Sequence, residues 1–187
     1  MFRYAIAKGV ELRLLEERHA EELFSLTNRS REHLRRWTPW IDSTRTTADS
    51  KAFIRRSLEQ FSRGDGLVAG IWYNDSLAGV VSFDRISHEN RSATIGYWIG
   101  MEYQKKGLMT RACEALIDYG FRELGLNRIE IWAAVDNLRS LAIPERLGFI
   151  REGTERQAQW LNDHFTDVVV YSMLRSEWRP VASPPII

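Results

Sequence analysis

The run Tyr103-Gln104-Lys105-Lys106-Gly107-Leu108-Met109-Thr110 carries the most chemical information in the chain. It joins a strand-like segment to a segment with helical periodicity. The first amides of a helix have no partner within it, and the positive end of the helix dipole points the same way. A diphosphate suits such a place. Gly107 allows close backbone approach or a tight turn, and Lys105 and Lys106 add positive charge. The Gly-Lys-Ser/Thr signature of a nucleoside-triphosphate loop is absent. Taken alone, a one-glycine run of this kind also suits a solvated turn.

A second segment, Asn137-Leu138-Arg139-Ser140, opens a shorter helix that Gly148 closes. Asparagine is a good cap, so the local reading is structural. Pro144 removes the N–H that would bond the Ser140 carbonyl, which predicts a bend. Cys113 lies on an apolar helical stripe and reads as core. His19, His33, His88 and His164 show no metal-ligand spacing, so no metal is expected. Trp37 and Trp40 flank Pro39 in a turn, where they either line an acceptor pocket or pack a helix onto a sheet. Arg29, Arg31, Arg35 and Arg36 read first as a solvated face and second as guidance for an acidic acceptor.

The elements that would hold these residues follow from periodicity. Residues 10–14 alternate apolar and polar, as a half-buried strand does. Residues 16–29 and 46–63 have helical spacing, the latter with Phe53, Ile54, Leu58 and Phe61 on one face and Thr46 or Thr47 as cap. Residues 67–73 and 77–83 are strand-like runs around Asn74-Asp75-Ser76, and residues 93–100 complete a meander. Met109, Ala112, Cys113, Leu116, Ile117, Gly120, Phe121 and Leu124 form one stripe of the strongest helix, which Gly125 ends. Strands at 128–135, 149–156 and 165–174 follow, with the 137–147 helix between the first two. Trp72 and Trp132 sit on strands and read as core. The sum is an α+β domain with a central mixed, mostly antiparallel sheet of about seven strands flanked by helices.

Composition bounds the class. The chain has 187 residues, 44% hydrophobic and 27% charged, enough for one domain with a core. Its 26 basic and 25 acidic side chains give a net charge of +1, so no global field draws in nucleic acid or an anionic membrane. One cysteine excludes an internal disulfide. No signal peptide or membrane span is seen, and the expectation is a cytoplasmic single domain over residues 1–178 with a flexible tail at 179–187.

Together, in this order and spacing, the two segments resemble the GNAT acetyltransferases. Gln104-Lys-Lys-Gly107-Leu-Met109 corresponds to that family's Q/R-x-x-G-x-G/A loop, with Met109 where many members have Gly or Ala. Asn137-x-x-Ser140 with Leu147-Gly148-Phe149 is similar to its second cofactor segment. Leu12-Arg13-Leu14-Leu15, Trp37-Thr38-Pro39-Trp40, Ile95-Gly96-Tyr97-Trp98-Ile99-Gly100 and the stretch 157–168 resemble the RimL-like ribosomal-protein acetyltransferases in particular.

The resemblance implies a GNAT fold, acetyl-CoA as cosubstrate and transfer to a primary amine without a covalent enzyme intermediate. It implies cofactor contacts at Trp98, Ile99, Gln104, Lys105, Lys106, Gly107, Leu108, Met109, Thr110, Asn137 and Ser140. Asn137 and Ser140 are the implied catalytic residues, with Ser140 as the general acid for the leaving thiolate. Trp37, Trp40, Glu102 and Gln159 are the implied acceptor contacts. Gln159 stands where related members can have a glutamate, and an amide is no base; Glu102, Asp163, His164 or a water chain remain for that step. The favoured acceptor is a protein N-terminal amine, such as that of a ribosomal protein. A small amine, or a non-catalytic acyl-CoA-binding module, stays open. A homodimer or higher homo-oligomer is compatible, with residues 77–83 or the last strand as candidate edges.

Overall fold

In the computed structural model, residues 3–179 are described. Most of the anticipated tail, residues 180–187, lies outside them.

Among the described residues, eight strands form one sheet: β1 (Arg3–Ala7), β2 (Val10–Leu14), β3 (Leu67–Tyr73), β4 (Ser76–Ser87), β5 (Ser92–Ile99), β6 (Arg128–Ala134), β7 (Ile150–Leu161) and β8 (His164–Leu174). Their spatial order is β1-β2-β3-β4-β5-β6-β8-β7, with every neighbouring pair antiparallel except β5 and β6. The sheet thus has one strand more than the seven read from the sequence. The extra strand, β1, is a mostly exposed edge with little apolar pattern to reveal it. The edges are β1 and β7, so neither residues 77–83 nor the last strand is an edge; β4 and β8 are both paired on two sides.

Helices cover the sheet unevenly. Helix α4 (Leu108–Arg122) packs on one face with Ile71, Val81, Phe83, Ile129 and Ile131. Helices α1 (Ala20–Arg29) and α3 (Thr47–Arg63) cover the other face of β3 and β4 around Val68, Trp72, Leu77 and Val80. A bulge in the β3–β4 ladder explains why both Leu77 and Val80 face the side covered by α1 and α3, because it shifts the alternation of β4 by one residue. Gly120 lets α4 sit close to the sheet: a Cβ there would meet the Phe83 ring at 2.8 Å. The α4 stripe ends at Phe121; Leu124 lies past the helix and is exposed. Phe53 and Phe61 are also exposed at the rim of α3, while Ile54 is fully buried. Trp72 is core, but Trp132 is 48% exposed, on the face of β6 opposite the buried Ile129 and Ile131. No helix among the described residues is long and apolar enough to cross a membrane.

Short helix α2 (Arg31–Arg35) and a 3-10 turn (Pro39–Ser43) lie between α1 and α3. Arg31 holds this segment together, donating to the carbonyls of Ile41 and Thr44, both at 2.6 Å. It is a structural staple rather than part of a solvated face. The β7–β8 turn is tied to the same region, since the Asn162 amide donates to the Arg35 carbonyl at 2.9 Å.

Candidate active site

The parallel pair β5 and β6 is the place where the sheet opens. Its ladder runs only from Ser92↔Arg128 to Ile95↔Ile131. Beyond Ile95, β5 stays paired to β4 through Gly79↔Ile99, and β6 stays paired to β8 through Ala134↔Val168. The two strands therefore splay, and the β5 edge at Gly96–Ile99 turns toward an open cleft. Extended ligands with alternating amides can bond such an edge as an added strand would.

The chain leaves β5, makes a 3-10 turn (Met101–Tyr103) and enters α4. Two positive φ angles shape the junction, 61° at Lys105 and 73° at Gly107. Glycine at 107 accepts that conformation without strain, and a Cβ there would stand in open space, with nothing beyond its chain neighbours within 4 Å. The first backbone bond of α4 runs from the Arg111 N–H to the Gly107 carbonyl at 3.2 Å, so the amides of Leu108, Met109 and Thr110 stand ahead of the ladder. No side chain caps them, and no acidic residue lies in the first turn. Helix α3 shows the contrast: there Thr46 accepts from the Asp49 amide at 3.3 Å, while Asp49 accepts from the Thr46 amide at 2.8 Å. The α4 end is therefore a donor-rich, electropositive place suited to an anion.

A cavity of about 380 Å³ joins the splayed strands to this helix end. Trp98, Ile99, Gln104, Lys105, Lys106, Gly107, Leu108, Met109, Thr110, Asn137 and Ser140 all line it, as does Trp37. Met109 sends its side chain into the core, which leaves its amide at the helix end. Lys106 lies over the rings of Tyr73 and Tyr103, at 5.1 and 5.4 Å from their centroids. Three residues anticipated at the site are not in the lining. Trp40 instead packs against Trp98 with ring centroids 5.9 Å apart. Glu102 pairs with Arg29 at 3.3 Å. Gln159 is half-buried on β7 opposite Thr166.

Helix α5 (Leu138–Arg146) closes the far side. Asn137 caps it by accepting from the Ser140 amide at 3.3 Å, and the Ser140 carbonyl accepts from the Tyr97 hydroxyl at 2.8 Å. Burial raises the Tyr97 phenol well above its ordinary range, so it stays protonated as that donor. Cys113, fully buried, is likewise pushed up and stays a thiol.

Sequence reasoning did not assign His33, Tyr97, Arg139 or Arg146, which also line the cavity. The Arg139 guanidinium donates to the Gln104 side-chain carbonyl at 2.7 Å. That orientation turns the Gln104 NH2 toward His33, whose Nε2 lies 2.6 Å away and must accept, leaving the ring proton on Nδ1. Burial lowers the His33 pKa, and the charges of Arg139 and Arg36 lower it further, which matches a neutral acceptor. Arg139 could have been suspected from its place next to Ser140; His33 carried no local signal. The lining contains no carboxylate among the described residues. Asp163 pairs instead with His164 on the β7–β8 turn at 2.8 Å.

Comparison with known proteins agrees with this geometry. The family described as "Acetyltransferase (GNAT) domain" matches residues 10–150. YdaF of Bacillus subtilis (strain 168) is 39% identical over 180 residues, covering 95% of this chain and 98% of that protein. The ribosomal-protein-serine acetyltransferase of Escherichia coli (strain K12) is 31% identical over 169 residues, covering 90% and 94%. The crystal structure of the microcin C7 self-immunity acetyltransferase MccE, in complex with acetyl-CoA and AMP, superposes with a TM-score of 0.87 at 34% identity, covering 90% and 94%. The splayed strands, the uncapped α4 end and these matches lead to one family: the chain belongs to the GNAT acetyltransferases.

Proposed function

We propose that this N-acetyltransferase moves an acetyl group from acetyl-CoA to the N-terminal amine of a protein, with a ribosomal protein as the favoured acceptor. The single observation that carries the cofactor reading is the α4 end, where three amides stand free of caps and acids beside a cleft. The acceptor reading is supported by the similarity to the E. coli ribosomal-protein-serine acetyltransferase. Such an acceptor would put the reaction in the cytoplasm.

Each group in the cleft has a task in this reading. The β5 edge at Trp98 and Ile99 pairs with the pantetheine amides, and a strand N–H holds the thioester oxygen as negative charge develops there. The amides of Leu108, Met109 and Thr110 hold the diphosphate. Ser140 gives its proton to the leaving thiolate as the carbon–sulfur bond breaks and the carbon–nitrogen bond forms, and regains one from the nitrogen, which sheds its extra proton on becoming an amide. The acceptor ammonium loses its proton to water, since no carboxylate among the described residues lines the cleft. An α-amine suits this route, because its ordinary pKa of about 8 leaves a fraction neutral at physiological pH. Trp37 lies on the acceptor side, with Trp40 backing Trp98.

The test is thiol release. The protein is incubated with acetyl-CoA and separate panels of N-terminal peptides and small amines. Release with peptides supports the proposal. Release with polyamines, amino acids or amino sugars alone redirects it to a small-molecule acceptor. Tight CoA binding without release in either panel replaces it with a non-catalytic binding module.

A further inference from the structure

Helix α5 has an internal proline, and its effect falls on the carbonyl of Ser140. In a regular α-helix that carbonyl accepts from the amide four residues on. Here that residue is Pro144, which has no N–H. The neighbouring bonds are intact: the Leu141 amide reaches the Asn137 carbonyl at 3.0 Å, and the Leu147 amide reaches the Ile143 carbonyl at 3.1 Å. The missing donor is replaced from outside the helix. The Tyr97 hydroxyl, on the splayed strand β5, donates to the Ser140 carbonyl at 2.8 Å.

We propose that Tyr97 is a positioning residue for Ser140: it takes over the helix bond that Pro144 removes and thereby locks the first turn of α5 to the strand that lines the cleft. A helix with an ordinary residue at 144 would satisfy this carbonyl along its own axis and leave α5 free to shift against β5. The proline hands the bond to Tyr97 and fixes Ser140 relative to the β5 edge at Trp98 and Ile99. Asn137 holds the same residue by its amide. Ser140 is thus held on both backbone polar groups, with Asn137 on one side and Tyr97 on the other. The Tyr97 proton is committed to this bond, so the phenol is not an alternative acid for the thiolate.

This inference rests on the reading of Ser140 as the proton donor, and the experiment separates the two. Tyr97→Phe, Pro144→Ala, the double variant and Ser140→Ala are compared by acetyl-CoA turnover and by thermal unfolding. Tyr97→Phe is expected to lower kcat about tenfold with KM for acetyl-CoA little changed, consistent with a shift of order one hydrogen bond. Pro144→Ala restores the helix N–H. The double variant is therefore expected to recover most of the lost kcat and of the lost melting temperature. An equal loss for Tyr97→Phe in both backgrounds would overturn the proposal, as would an unchanged kcat in Tyr97→Phe. If the melting temperature shows the recovery while Ser140→Ala retains full turnover, the bond exchange stands and the role given to Ser140 falls.

Discussion

Arg139 donates to the side-chain carbonyl of Gln104 at 2.7 Å, and this bond links α5 to the turn that enters α4. It holds a guanidinium at the wall of a cleft that also presents uncapped amides. Arg139→Ala is expected to weaken CoA about tenfold, the scale of one charge-assisted hydrogen bond. The loss should shrink as salt is raised, because an exposed cation acts through a screened field. Calorimetric titration at low and high ionic strength reads both; an unchanged affinity would remove Arg139 from the cofactor site.

The same bond fixes the state of His33. Through Gln104 it makes His33 an acceptor, and burial with nearby arginines lowers its pKa. His19 is similar: its Nδ1 accepts from the Glu16 amide at 3.0 Å, and burial lowers its pKa, with Arg18 adding to the shift. A histidine with a lowered folded pKa takes up protons more readily when unfolded. Stability is therefore full above the ordinary histidine pKa near 6.5 and declines as pH falls below it. Melting temperature should drop between about pH 7 and pH 5.5. His33→Gln keeps an acceptor without the titration, and should make that drop shallower. An equally steep drop in the variant would mean that His33 does not contribute.

Gly107 offers a separate handle on the phosphate site. Its φ of 73° is unfavourable for alanine, so Gly107→Ala should cost about 1 kcal/mol of stability from backbone strain. Apart from its chain neighbours, no described residue comes within 4 Å of the new Cβ, so packing elsewhere in the fold does not resist it. Gly107 lines the cavity, so the added methyl group would crowd a diphosphate held there as proposed. The predicted pattern is a loss of CoA affinity well beyond the modest loss of stability, measured by titration and chemical denaturation on the same preparation.

Arg31 holds the Pro39–Ser43 turn, which the proposed function puts on the acceptor side, through the carbonyls of Ile41 and Thr44. Arg31→Ala should destabilise the protein by about 2–3 kcal/mol, since hydrogen bonds to a charged group are lost. The turn contains Trp40, which packs on Trp98, so KM for the acceptor should rise while CoA affinity holds. A rise in both constants alike would show that the turn does not act selectively on the acceptor.

What the chain reveals before its structure depends on how local the signal is. The α4 end was legible because glycine, strand and helical stripe lie within a few residues of each other. The parallel splay at β5 and β6 is not readable from periodicity; the family resemblance implies only cofactor contacts at Trp98 and Ile99. β1 escaped because a mostly exposed edge strand has weak apolar alternation. Trp132 reads as core but is exposed, because alternation assigns a residue to a face and does not say whether that face is covered. Arg31 reads as one more cation in an arginine-rich stretch, and its partners lie 10 and 13 residues away. Pro144 and Tyr97 were each visible, yet the bond between Tyr97 and Ser140 spans 43 residues and exists only in the fold.

The most direct test of this account is a crystal structure of the protein with CoA. The account predicts diphosphate oxygens within hydrogen-bond reach of the main-chain amides of Leu108, Met109 and Thr110, and the pantetheine arm beside Trp98 and Ile99. CoA bound elsewhere on the surface, with those three amides taking other acceptors from the protein, would contradict it.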